Sequence, residues 1–403
     1  MHLNKTLIGF FLTVITLVSC NTPYEKNHKV NTAVTYENME TGKLYPRVKI
    51  KNDTALSFAL YLPESYDVKK ENSIVFIFDA HGRGTLPLEK YKTLAEKYNL
   101  VLAASNNSKN GQSGQLRNRI ITAFMGDVEN RIHINKNRMY TAGFSGGARI
   151  ATLVALYNST VAGVIGCSAG FPQVQNPVNK SFTWVGVTGN QDFNFLELKN
   201  LYRQLKASNW KTYLLVFDGK HDWPPAKVMD ASLALMLGKS KNSQYMLNPG
   251  PEADKLENKE VEQQRLLARA MEEKDINWWM KKTDRLMDDS QNNASREIRL
   301  MNARLVNYIS MISYIFTNRA LENNNLQQAA KFLAIYQKVD PDNSYVYFFK
   351  AVRFAKLKQD KKVFSSLQKA IDKGFDNRSE IINNKAFNYL HGSPDFEKII
   401  KTL

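Results

Sequence analysis

The chain has only two cysteines in 403 residues. That excludes a disulfide framework and any metal site built from paired Cys. There is no H-E-x-x-H, and no glycine-rich loop closed by Lys to cradle phosphates. No metal and no cofactor is therefore expected. The net charge is +17, but the excess is spread along the chain with no dense Lys/Arg run. Arg is not interleaved with aromatics, so nucleic acid is not an expected partner and solvated surface charge is the reading. No disordered-type composition is present either: 43% of residues are apolar, enough to core two or three domains.

The first apolar run, Leu7–Val18, is too short to span a bilayer, which takes about 20 residues. With Lys5 before it, it reads as the core of a signal peptide over residues 1–19. It ends in Leu17-Val-Ser-Cys20, which resembles the bacterial lipobox. The resemblance implies cleavage before Cys20 and acylation of its thiol and new amine. Several acyl chains anchor stably where one is marginal. The expected location is the cell envelope, outside the cytoplasm. The plainer alternative is a secretory signal with an incidental Cys. Residues 20–40 are polar and non-periodic and read as a tether. Cys167 sits in an apolar strand pattern and is expected to be an inert buried thiol.

From about 41 to 240, strands and helices alternate. Val48–Leu62 reads as two antiparallel edge strands, and Ser73–Phe78 as a strand buried on both faces. Further strands are expected at 100–104, before Ser145, and at 163–166, 184–187 and 212–217. Helices are expected at 87–98, 115–131, 146–157, 195–207 and 225–237. The fold class is α/β: a doubly wound, mostly parallel sheet, followed by an all-α helical-repeat domain. In such sheets ligands bind beyond the carboxyl ends of the strands.

Gly143-Phe-Ser145-Gly-Gly147 lies between a strand pattern and a helix pattern. That is the setting of a nucleophile elbow, in which the serine takes a strained conformation between small neighbours. A serine nucleophile needs a base, and elimination finds it. His2 and His28 lie in the signal and tether, His133 enters the wrong end of a strand, and His391 is near the C-terminus. His81 precedes the nucleophile. His221 remains, after the last strand, in Phe217-Asp-Gly-Lys-His221-Asp-Trp-Pro-Pro225. Asp192 follows the penultimate strand and is favoured as the acid over Asp222, the histidine's own neighbour. Its other role would be to cap the 195–207 helix. Oxyanion donors are expected from the amides of Gly146 and of Gly82 or Arg83 in Asp79-Ala-His81-Gly-Arg-Gly84. The Arg83 side chain is expected in solvent, or on an acidic group of the substrate.

These motifs, with Tyr61-Leu-Pro-Glu-Ser-Tyr66 and Ser168-Ala-Gly-Phe-Pro172, resemble the α/β-hydrolase superfamily. The resemblance covers about Tyr45–Leu237 and points to its polyhydroxybutyrate-depolymerase and feruloyl-esterase-like branch. It implies a metal-free esterase. It leaves the substrate open among polymer, feruloyl, acetyl and small acyl esters, an acylated glycan or polymer included.

Asn248-Pro-Gly-Pro251 reads as a linker, and the domain from 250 to 403 as helical. Long helices are expected at 250–289 and 295–320, with Trp278 and Trp279 anchoring one onto another surface. From about 310 the chain resembles a tetratricopeptide array. Ala329, Leu333 and Tyr336 recur thirty-four residues later as Val363, Leu367 and Ala370. The resemblance implies a rigid appendage or a site for a protein or peptide partner. The expectation is thus a lipid-anchored serine esterase whose chemistry is complete before the linker. The alternatives are a peptidase or thioesterase with the same triad, or a binding protein whose repeats do the work.

Overall fold

The computed structural model describes residues 36–179, 181–247 and 253–403. Cys20, the signal segment and the Asn248–Pro251 linker lie outside the described residues.

Alternation of apolar and polar residues builds the sheet's edge. Strands β1 (Lys43–Ile50) and β2 (Asp53–Leu62) pair antiparallel, Lys43 opposite Leu62. Then follow β3 (Asn72–Asp79), α1 (Thr85–Tyr98), β4 (Leu100–Ser105), α2 (Gly114–Arg131), β5 (Ile134–Phe144) and α3 (Gly146–Tyr157). After them come β6 (Val161–Cys167), β7 (Thr183–Gly189), α4 (Phe195–Ala207), β8 (Thr212–Phe217) and α5 (Ala226–Met236). The sheet has eight strands in the order β1-β2-β4-β3-β5-β6-β7-β8. β2 meets β4 antiparallel, and β4, β3, β5, β6 and β7 run parallel. This is a doubly wound, mostly parallel sheet, as the alternation of strands and helices predicts.

The continuous apolar run in β3 has its reason in two cores. Ile74, Phe76 and Phe78 pack with Phe124 and Val128 of α2 and Ala151 and Val154 of α3. Val75 and Ile77 point the other way, to Leu88 and Tyr91 of α1 and Val228 and Leu233 of α5. A strand covered on both faces has no polar side to alternate with. Cys167 is fully buried in the second core, and burial pushes its thiol well above the usual value. The segment read as tether ends earlier than residue 40. Tyr36 stacks on His133 at 4.6 Å, and Glu37 pairs with the Arg131 guanidinium at 2.7 Å.

Beyond the sheet the chain is helical: α6 (Ala253–Glu273), α7 (Ile276–Asn292), α8 (Arg296–Glu322), α9 (Leu326–Val339), α10 (Ser344–Lys356), α11 (Asp360–Asp372), α12 (Arg378–Asn383), a 3-10 turn (Lys385–Leu390) and α13 (Pro394–Lys401). The single helix expected over 250–289 is two. Asp275 stops the first and caps the second, its side chain accepting the Trp278 amide at 2.8 Å. Trp279 then turns inward, donates Nε1–H to the Ala270 carbonyl at 3.2 Å, and joins a core with Leu267, Leu305 and Ile309. Its neighbour Trp278 stays partly exposed. α8 packs on α9 and α10 on α11, and the residues recurring thirty-four apart are all buried.

The chain divides into two compact units, and the boundary is not the linker. One holds the sheet and its helices. The other joins α6–α13 to two short pieces cut out of the first, Gly189–Leu196 and Asp218–His221. The expected division at about residue 240 misses these pieces, because they belong to the helical unit through contacts remote in sequence.

Candidate active site

Ser145 stands between β5 and α3 at φ 55° and ψ −122°. Only glycine takes positive φ without steric cost, so a serine held there signals strain imposed by its surroundings. The surroundings are tight. A Cβ on Gly143 would fall 2.2 Å from the Gly147 carbonyl oxygen, and one on Gly147 would fall 2.0 Å from that of Phe78. α3 therefore lies against β5 and β3 as closely as backbone permits. The Ser145 amide donates to the Cys167 carbonyl at 2.8 Å, and its carbonyl accepts the Ala148 amide at 3.0 Å. Gly146 opens the helix. The space a side chain would fill there is taken by the Asn110 amide, whose Oδ1 lies 1.8 Å from that hypothetical Cβ. Sequence reasoning did not single out Asn110, and no local pattern marks it.

Asp79, at the end of β3, organises the turn that follows. Its Oδ1 accepts the His81 amide at 2.8 Å and the Arg83 Nε–H at 3.0 Å. Its Oδ2 accepts Arg83 Nη2–H at 3.1 Å and Trp223 Nε1–H at 2.9 Å. Burial pushes the carboxyl up, but Arg83 and these hydrogen bonds outweigh it and leave the group below its usual value. Arg83 thus turns inward to Asp79 rather than to solvent. The amides named as oxyanion donors also face Asp79: Gly82 donates to its carbonyl at 3.2 Å, and Arg83 to Oδ1 at 3.4 Å. Trp223 is buried against Phe144, the residue before the serine, with ring centroids 5.7 Å apart. Asp79 and Trp223 stood in the motifs read from sequence, but with no role attached.

The pieces Gly189–Leu196 and Asp218–His221 follow the carboxyl ends of β7 and β8. They close on each other. Gln191 N–H donates to the Gly219 carbonyl at 2.9 Å, and Gly219 N–H donates to Asn190 Oδ1 at 3.2 Å. A Cβ on Gly189 would sit 2.2 Å from the Gly219 oxygen, so this approach needs glycine. Here Asp192 Oδ1 lies 2.9 Å from His221 Nδ1. The same oxygen accepts the Asn194 amide at 2.8 Å, fixing the carboxylate as the loop turns into α4. Asp192 is fully buried, while the His221 side chain is 19% exposed. The Phe193 ring stacks on the imidazole at 4.2 Å. Asp222 does something else: its Oδ1 accepts the amide of Trp223 at 2.6 Å. An imidazole bonded through Nδ1 to a buried carboxylate has its tautomer set, leaving Nε2 to take a proton.

Among the described residues, no group of three or more His, Cys, Asp or Glu is placed to hold a metal ion. No family model matches the chain, and no curated protein does. Solved structures do resemble it. The feruloyl esterase module from Clostridium thermocellum is 17% identical, with a TM-score of 0.40, over 54% of this chain and 99% of that one. An esterase from Pyrobaculum calidifontis is 11% identical, with a TM-score of 0.39, over 50% and 88%. An S-formylglutathione hydrolase from Staphylococcus aureus is 15% identical, with a TM-score of 0.37, over 45% and 92%.

Proposed function

We propose that the protein is a serine hydrolase that cleaves carboxylic esters, anchored to a membrane of the bacterial cell envelope, outside the cytoplasm, by a lipid on Cys20. The observation that carries the enzymatic part is Ser145 at positive φ in a strand-to-helix turn whose flanking glycines admit no Cβ. Packing alone has no use for a serine there. The hydrogen-bonded Asp192 and His221 support it, since a buried carboxylate on Nδ1 is what a histidine base needs.

In this reading His221 Nε2 takes the Ser145 hydroxyl proton as Oγ attacks the ester carbonyl. The tetrahedral oxyanion is met by the Gly146 amide at the start of α3. We assign the Arg83 amide as second donor before that of Gly82, because its 3.4 Å bond to Asp79 is the longer and more easily exchanged. His221 then protonates the leaving alcohol, and water repeats the sequence on the acyl-enzyme. Asp192 stays ionised and steadies the imidazolium. The substrate class is an ester, an acylated glycan or polymer among the kinds it includes. The helical repeats are read as the place where a partner or large substrate is captured.

The test is turnover of p-nitrophenyl acetate with fluorophosphonate labelling. Members of a triad act as a unit, so Ser145→Ala and His221→Ala should each lose on the order of 10⁴ in kcat. Asp192→Asn should lose nearly as much, and Asp222→Asn far less. A Ser145→Ala protein that still turns over ester would remove Ser145 as the nucleophile, and a wild type that neither labels nor turns over ester would leave the binding-protein reading standing. Amide or thioester substrates cleaved faster than esters would favour the peptidase or thioesterase reading. For the anchor, wild type should partition into detergent and Cys20→Ala should not; equal partitioning removes the lipid from the proposal.

A further inference from the structure

The loop that carries Asp192 is held from the helical side. On α8, Arg304 Nη1–H donates to the Asn190 carbonyl at 2.9 Å. One turn further, Asn307 Nδ2–H donates to the Gln191 carbonyl at 2.8 Å. Residues three apart share a helix face, so α8 presents two donors side by side to the two carbonyls just before Asp192. On the far side of Asp192, Phe193 packs against the helical core while stacking on His221.

Arg304 is itself locked. Its Nε and Nη2 grip both oxygens of Glu260 on α6 at 2.8 and 2.7 Å. The two side chains are 9% and 1% exposed, and the guanidinium lies over the Phe195 ring at 4.8 Å. Burying such a pair costs desolvation that its attraction only partly returns, so stability is a poor reason for it. What the fork does secure is direction. With Nε and Nη2 fixed on Glu260 and the plane fixed on Phe195, Nη1 can point only at Asn190. Lysine, a rotatable point charge, would not transmit that direction.

We infer that Arg304 and Asn307 are positioning residues for the Asp192–His221 pair, so that the helical unit is a working part of the hydrolase. The inference rests on the serine hydrolase reading above. A loop carrying a catalytic acid has to hold it within a fraction of an ångström, because a misplacement of about 1 Å can cost on the order of 10²-fold. Two backbone carbonyls pinned immediately before the acid supply that restraint. They act on orientation and not on substrate, so the effect belongs in kcat.

The experiment uses the full chain. Asn307→Ala removes one donor and leaves the buried ion pair intact. We expect kcat on p-nitrophenyl acetate to fall about tenfold, a barrier change of about 1.4 kcal/mol, with KM within about twofold of wild type. Arg304→Lys should fall at least as far, and Arg304→Met further, each followed beside a melting curve. The decisive arm is the same Asn307→Ala change in an Asp192→Asn background, read by the rate of fluorophosphonate labelling. If Asn307 acts through Asp192, its effect there should shrink below about twofold. An equal loss in both backgrounds, a change confined to KM, or no loss in a folded Asn307→Ala protein would overturn the inference. A wild type that labels at Ser145 while Asn307→Ala is unaffected sinks this inference alone. A wild type that does not label, with turnover kept by Ser145→Ala, sinks the hydrolase reading and takes this one with it.

Discussion

Asp79 was unremarkable in the sequence because its partners are set by folding. Arg83 is four residues away, but Trp223 comes from the other end of the sheet domain. The carboxylate holds the His81–Arg83 turn and Trp223 in one network, with a folded-state pKa below its ordinary value. A depressed carboxyl pKa contributes stability that is fully present above the unfolded value. It is lost as pH falls through the folded one. Asp79→Asn should therefore lower stability by about 1–3 kcal/mol near neutrality, the scale of hydrogen bonds to a charged group. The gap between variant and wild type should begin to narrow below about pH 4, where the unfolded carboxyl takes up its proton, and close only below the lower folded value. Melting curves from pH 3 to 8 measure this; a gap that stays constant down to pH 3 would rule out the charge as its source. His221 and Asp192, in contrast, could be reached by elimination, since few histidines and carboxylates follow the parallel strands. What elimination could not exclude was Asp222, and only the bond from its own neighbour's amide shows how that carboxylate is used.

At the scale of elements, periodicity predicted nearly every strand and helix of the sheet domain. Burial on one face, two faces or one stripe leaves an unmistakable pattern in apolar spacing. Gly143 and Gly147 were legible as the small residues an elbow needs, and the backbone clashes they avoid are those expected. The helix read over 250–289 failed for a reason visible after the fact. The apolar stripe runs on through residue 275, but Asp275 is a good N-cap followed by a fresh apolar turn, Ile276-Asn-Trp-Trp279. A stripe continues across a break when both helices face the same core. The cap residue was the signal that mattered.

For the whole molecule, the linear reading placed all the chemistry before the linker. The residues proposed for catalysis do all precede it, yet two loops that carry them are counted with the helices. A chain ending at Leu247 keeps β1–β8, Ser145, Asp192 and His221, and loses Arg304, Asn307 and Glu260. We expect its turnover of p-nitrophenyl acetate to fall about 100-fold or more, while far-UV circular dichroism still reports the sheet. Truncated protein that is folded and within tenfold of wild type would restore an independent hydrolase domain.

The amino-acid sequence alone determined the order of strands and helices, the strained serine turn, and the residue types able to serve it. These follow from local rules: side-chain period, glycine where backbones touch, and scarcity of histidine. Which carboxylate meets His221, where Arg83 turns, and which helix holds the acid loop were decided only in three dimensions. Arg304 and Asn307 lie more than a hundred residues beyond the carbonyls they grip. Nothing in a backbone carbonyl varies with sequence, so a contact made to it leaves no mark in the segment that receives it.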